Sequence, residues 1–405
     1  MSKQLRNHRN NLLSVGFAAL AVVLVAPLSA FSQELVIGAP NALTGGFGEA
    51  SQHVVEGLQV AVDQINEEGG IKSLNGMKLK LIPADTGDKP DQAASVTRRL
   101  ITQERAIVLV GANTSAMTLS AQIEAEKARI PILTTSYADA IVERGMKYTF
   151  KIPPRNAITS DLTVEYAVKL VTDATGKKPT QIAVFNGSDA ASQASSKATL
   201  AKAEKDGLKV VSHVSFQGNI TDPTPIISAT LQNKPEIIFL SSITPDVILI
   251  ARALRAVGVK TLIVGGGGSV SSNGTGSALG TAANGFMGVV SFNWDVPIDG
   301  VKELMDRYRK RYPKEAFPPA SDTLGQGYAI GQIIRQALEK AASTDPTKIR
   351  DVLANTEFDV ALPGGKAAFD ETGLNKYSEP ILVEWINGQL RSIWPKKYQA
   401  VQPVL

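Results

Sequence analysis

The chain has 405 residues, a formal net charge of +4 and no cysteine. The missing thiols exclude disulfides, thiolate metal sites, a cysteine nucleophile and a lipid anchor on an N-terminal cysteine. Lys3, Arg6 and Arg9 all precede the first acidic residue, Glu34, so the rest of the chain is close to neutral and carries no clustered basic face for nucleic acid.

Residues 1–32 read as an export signal rather than as fold. A basic start is followed by an apolar run from Val15 to Ala26, then Pro27 and the small-residue stretch Ser29-Ala30-Phe31-Ser32. Ala30 and Ser32 suit the small-residue positions before a cleavage site. The run is short of the roughly 20 apolar residues of a membrane span. A soluble, periplasmic product is expected.

Behind it comes a short apolar strand, Leu35–Ala39, then the Gly-rich loop Leu43-Thr44-Gly45-Gly46-Phe47-Gly48. A helix follows with Val54, Leu58, Val62 and Ile65 on one face. Strand, loop and helix open a βαβ unit, with the loop at the carboxyl end of a strand, where open α/β sheets bind ligands. Further strands are predicted at Leu79–Ile82, Ile107–Val110, Ile132–Thr134, Gln181–Phe185, Lys209–Val214, Ile237–Leu240, Leu262–Val264 and Gly285–Val290. Amphipathic stretches between them, such as Asp91–Gln103, Thr118–Ala128, Ala191–Lys205 and Asp246–Val257, predict helices on both faces of mainly parallel sheets. Lys151-Ile152-Pro153-Pro154 interrupts the alternation: two prolines remove two donors, which suits a crossing between domains. Helices near Val301–Arg311, Leu324–Ala342 and Lys348–Asn355 and short strands at Ala367–Phe369, Ile381–Trp385 and Gln389–Ile393 finish the chain. The reading is two Rossmann-like α/β lobes, residues 34–152 with about 292–362 and residues 153–291 with about 363–395.

Several segments together carry a family resemblance. They are Val36-Ile37-Gly38 with Leu43-Thr44-Gly45, the helix end Asp63 to Ile71, Thr86-Gly87-Asp88-Lys89-Pro90, Val110 to Ser115, Ile130-Pro131-Ile132-Leu133 and Tyr148-Thr149-Phe150-Lys151. In order and spacing the chain resembles the extracytoplasmic solute-binding proteins of ABC importers, specifically the branched-chain amino-acid (Leu/Ile/Val) family of type I periplasmic binding proteins. The resemblance implies a monomer with three crossings, a ligand cleft between the lobes, hinge closure, delivery to an inner-membrane permease/ATPase complex, and no cofactor.

Candidate ligand contacts follow. Ser115, with Thr114, stands where a strand gives way to a helix, so free N–H groups there suit an anion; the family places a ligand carboxylate at the matching Ser. Ser136 and Tyr137 follow the next strand, near the family's second set of carboxylate contacts. Phe47, flanked by glycines, is expected to form a wall or lid. The second lobe departs from the family. Where an acid for the ligand ammonium is expected, the chain runs Gly265-Gly266-Gly267-Gly268, read as a tight strand-end turn with Gly267 or Gly268 in the acid's place. The aromatic expected after Phe185 is absent, and Ile243 or Thr244 stands where a Tyr is usual. A buried ammonium without an acceptor is costly, so the expectation is a carboxylate without an α-amino group, an aromatic or aliphatic acid. Asp189 and Asp322 are the residues that would return an amino acid to contention if they reach the cleft. The same fold also serves amide and urea binders and ligand-presenting receptors for membrane sensors. His53 and His213 lie in no catalytic motif, His53 being expected as a surface or capping residue and His213 as structural, and the partial G-x-G-x-x-S at Gly46–Ser51 is too weak for a dinucleotide site.

Overall fold

The computed structural model describes residues 34–404, so the export signal lies outside the described residues. In the first lobe, β1 (Leu35–Asn41), β2 (Leu79–Asp85), β3 (Val108–Val110), β4 (Ile132–Thr134) and β5 (Thr149–Lys151) form a wholly parallel sheet in the order β2-β1-β3-β4-β5. In the second, β6 (Gln181–Gly187), β7 (Lys209–Phe216), β8 (Ile237–Ser241), β9 (Leu262–Gly265) and β10 (Phe286–Val290) run parallel. A short pair, β11 (Phe358–Asp359) and β12 (Lys366–Ala367), precedes the hairpin β13 (Ile381–Ile386) and β14 (Gln389–Trp394), which extends the second sheet antiparallel to give β14-β13-β10-β9-β8-β6-β7.

The helices are α1 (Gly48–Glu67), α2 (Pro90–Thr102), α3 (Ser115–Ala128), α4 (Asn156–Thr175), α5 (Ala190–Lys205), α6 (Thr224–Asn233), α7 (Thr244–Ala256), α8 (Gly267–Val270), α9 (Asn273–Leu279), α10 (Val301–Arg311), α11 (Asp322–Ala341) and α12 (Pro346–Asn355). Helix α1 buries Val54, Leu58, Val62 and Ile65, as its 3.6-residue periodicity demands. It packs on α11 through glycine: a Cβ at Gly57 would stand 2.0 Å from the Leu324 carbonyl oxygen, and one at Gly327 would stand 2.2 Å from that of Val54. Only residues without a side chain allow the two backbones to come this close. The expected turn at Gly265–Gly268 is instead the start of the short helix α8, and α9 was not legible in the sequence, because its residues, Asn-Gly-Thr-Gly-Ser-Ala-Leu, are poor helix formers.

The Pro153-Pro154 crossing is tied down from within. Lys151, fully buried on β5, gives its ammonium to the carbonyls of Pro153 and Pro154. Beside it runs a second crossing: Lys151 exchanges backbone bonds with Gly373 and Asn375, and Asn375 donates to the Ile152 carbonyl. Residue 374 therefore bridges to β5 of the first sheet, while β13 and β14 belong to the second.

Glu384 on β13 is fully buried, with Oε2 accepting the Val404 N–H at 3.0 Å and Oε1 without a partner. Its cross-strand neighbour Arg391 is engaged by Asp295. Burial pushes the carboxyl up to about 7. A raised folded-state value means stability present at low pH and lost as pH climbs from the ordinary carboxylate range through about 7. Glu384→Gln should therefore change the melting temperature little at pH 5 and raise it at pH 8; equal shifts at both pH values, measured by calorimetry, would contradict this.

Candidate functional site

A cavity of about 780 Å³ opens between the lobes at the carboxyl ends of the strands. Six helices of both lobes, α1, α3, α4, α5, α7 and α11, present their first turns to it. No Lys or Arg lines it among the described residues. Peptide dipoles and free N–H groups at these helix starts favour an anion, against three acids, Asp88, Asp189 and Asp322, that also line the cavity.

The α3 terminus is open, as are those of α1 and α7, which also lack a side-chain cap. Thr114 occupies the N-cap position but makes no side-chain cap, and its Oγ1 has no partner. The N–H groups of Ser115, Ala116 and Met117, all on the cavity wall, find no acceptor among the described residues. Ser115 Oγ accepts the Ala138 N–H at 3.3 Å, leaving the hydroxyl proton free to donate. By contrast α4 is capped by Asp139 (Asn156 N–H, 2.7 Å), α5 by Asp189 (Ser192 N–H, 2.9 Å) and α11 by Ser321 (Leu324 N–H, 3.1 Å).

The cavity brings together Phe47, Thr114, Ser115, Tyr137, Asp189 and Asp322. Ser136 is buried behind the wall, where its Oγ lies 2.6 and 2.8 Å from the carbonyls of Ala112 and Asn113 and braces the loop before α3. Thr244 lines an adjoining pocket at the cleft mouth, while its neighbour Ile243 faces the main cavity. Gly267 opens α8 between Gly266 and Gly268, which both face the cavity; a Cβ on Gly268 would meet nothing within 4 Å. Asn113 was not singled out in the sequence, although it lies in the same loop as Ser115 and lines the cavity. His213 bonds Asn186 and Ser196 inside the second lobe. His53 is no surface residue: it is 5% exposed with Nδ1 unpartnered, because α1 turns this face toward the core. Burial pulls its imidazole down, against the pull of Glu49 and Glu315.

The two acids differ. Asp322 is 1% exposed; Oδ2 accepts from Tyr137 (2.8 Å) and Gln326 (3.2 Å), and Oδ1 from Ser271 (2.9 Å). Burial pushes its carboxyl up despite these hydroxyls, so it is a poor counter-ion. Tyr137 also meets Ser291 at 3.0 Å, so its hydroxyl is committed and its ring is what forms the wall. Asp189 spends Oδ1 on its helix cap and keeps Oδ2 buried without a partner.

A second acid from the first lobe grips the second lobe. Glu49 on α1 accepts from Ser272 Oγ (2.5 Å), Asn273 N–H (2.6 Å) and Gly274 N–H (3.2 Å) at the start of α9. With Asp322 on Ser271, four consecutive residues of the second lobe are held by two carboxylates of the first.

This architecture has close counterparts. The family model for periplasmic binding proteins matches residues 34–387. The chain belongs to this family. It is 28% identical to an amino acid binding protein of Pseudomonas aeruginosa over 378 residues, 91% of this chain and 95% of that one. It shares its fold with the branched-chain amino acid transporter substrate binding protein of Streptococcus pneumoniae, solved with isoleucine, at a TM-score of 0.78 and 21% identity over 90% of this chain and 100% of that one. A solute binding protein of Rhodopseudomonas palustris, solved with 3,4-dihydroxybenzoic acid, gives 0.77 and 18% over 91% and 98%.

Removal of the Glu49 grip should loosen the lobes. Glu49→Ala deletes a charge-assisted acceptor for three donors, and small-angle scattering of the ligand-free protein should show a larger radius of gyration than wild type. An unchanged radius would mean that Asp322 and the crossings alone set the lobe angle.

Proposed function

We propose that this chain is the periplasmic solute-binding component of an ABC importer, and that it binds a small carboxylate without turning it over. The uncapped start of α3 carries this reading. Three N–H groups and the Ser115 hydroxyl form a set of donors for one carboxylate, at the positive end of a 14-residue helix. Phe47 and the Tyr137 ring supply apolar walls for the body of the ligand. Lobe closure would then expel water and strengthen each of these bonds.

The ligand class that fits best is an organic acid without an α-amino group. Glycines occupy the second-lobe loop where the family carries an acid, and Asp322 is already bonded on both oxygens. The relatives bracket this choice, one crystallised with isoleucine and another with 3,4-dihydroxybenzoic acid. One observation favours a second reading, an amino acid: the unpartnered Oδ2 of Asp189 lacks a donor that a ligand ammonium would bring.

Calorimetric titration with leucine and with 4-methylpentanoate, its analogue without the amino group, separates the two. Tighter binding of 4-methylpentanoate is expected; binding of leucine alone would overturn the organic-acid reading and assign Asp189 as counter-ion. Ser115→Ala should weaken whichever acid binds by about ten- to a hundredfold, the range of a hydrogen bond to a charged group. Gly268→Glu enters open space and should shift preference toward leucine by restoring an acid to the cavity. Failure of every carboxylate in such titrations would sink the proposal.

A further inference from the structure

The cavity does not stop at the cleft. It continues into the second lobe, between the sheet and helices α4 and α5. Its floor there is a row of apolar side chains across four parallel strands. Val184, Phe239 and Val264 sit in register, with Val289 on the next strand. A row like this is ordinarily covered by Leu, Ile or Val from the helices above, as α1 covers the first sheet.

Here the covering faces are hydroxylated and short. The buried face of α5 reads Ser192, Ser196, Thr199, and that of α4 begins Asn156, Thr159, Ser160. Ser192 and Ser196 meet the sheet only at Ser241 and His213; side chains this short do not cover the apolar row, and a chamber remains. Beyond it Val164, Ala167 and Ala203 resume contact with the strands, and the core closes. Protein interiors are otherwise close-packed, and an unfilled void is destabilising.

The hydroxyls of the chamber are largely spent within it. Thr163 bonds the Thr159 carbonyl at 2.7 Å, Thr159 that of Arg155 at 3.3 Å, and Ser160 that of Ser195 at 3.4 Å. The walls therefore offer mainly methyl and methylene surface. Thr199 and Ser195 are the exceptions: both line the cavity, and neither hydroxyl has a hydrogen bond among the described residues. Thr199 is the more buried, at 4% exposed.

We infer that the second-lobe chamber is a specificity subsite for an extended apolar ligand body, and that Thr199 meets a polar atom on it. The ligand class is then a carboxylic acid with a long apolar tail, such as an arylalkanoic acid, rather than a branched-chain amino acid. The total volume, about 780 Å³, falls within the range of about 300–1,000 Å³ that encloses drug-sized ligands. This inference rests on the carboxylate being held at α3.

The test is titration of benzoate, phenylacetate, 3-phenylpropionate and 4-phenylbutyrate into wild type, Thr199→Leu and Thr163→Leu. Wild-type affinity should rise along the series by about fourfold per methylene, the worth of a buried CH₂. The leucine variants fill the chamber. They should keep the affinity for benzoate and lose the gain for the longer acids. Thr199→Val is nearly isosteric, guards against a folding failure, and should weaken binding of 3-(4-hydroxyphenyl)propionate more than of 3-phenylpropionate. A wild-type series that is flat, or one that the leucine variants leave unchanged, overturns the subsite while the carboxylate reading stands. Failure of all these acids together with leucine and 4-methylpentanoate overturns the reading on which it rests.

Discussion

Parallel strand pairing governs everything at the cleft. Parallel neighbours cannot be joined by a tight turn, so each strand is followed by a crossover, and each crossover helix starts beyond a carboxyl end. Strands β1, β3 and β4 of one sheet and β6, β8 and β9 of the other all end at the same gap. The cavity thereby acquires a ring of helix N-termini without any one residue being chosen for charge. What remains for side chains is to decide which of these termini stays open. Asp139, Asp189 and Ser321 close three of them, and Phe47, Thr114 and Ile243 leave α1, α3 and α7 without a side-chain cap.

The contacts between the lobes lie beside the cavity and share Asp322 with its wall. Glu49 and Asp322 of the first lobe grip residues 271–274, and the loop immediately before them, Gly265 to Ser269, lines the cavity. Ser269, on the cavity wall, stands two residues from Ser271 in the grip. The grip itself uses none of the α3 donors.

The second lobe shows how a site is made by withholding side chains. Serine and threonine on α4 and α5 are too short to cover the apolar floor, the α5 serines meeting the sheet through the polar atoms of Ser241 and His213, and glycine at 265, 266 and 268 keeps the loop from filling the gap. Each omission sacrifices packing that a larger residue would provide. The lobe tolerates this because its strands are fully packed further down, around Ile182, Ile237 and Leu262.

Much of this was written in the sequence. Apolar runs and 3.6-residue periodicity are local, so they place most strands and helices within a residue or two, and the strand-to-helix junction at Val110–Ser115 marks the α3 donors. Glycine and proline are less readable, because their effect depends on what surrounds them: α8 and α9 form from residues that predict a turn, held by the Glu49 carboxylate and by Trp385, whose ring nitrogen donates to the Val270 carbonyl. Hydrogen-bond partners are not local at all. Ser136 looks like a ligand contact by position, yet its hydroxyl is used by Ala112 and Asn113. Asp189 and Asp322 have the same side chain, but only the tertiary structure decides that one keeps an unpartnered oxygen while the other is bonded on both. The sequence determined the family and the end of the cavity that carries the open α3 N–H groups, since both follow from local pattern; the far end of the cavity was decided by which side chains fail to meet across space.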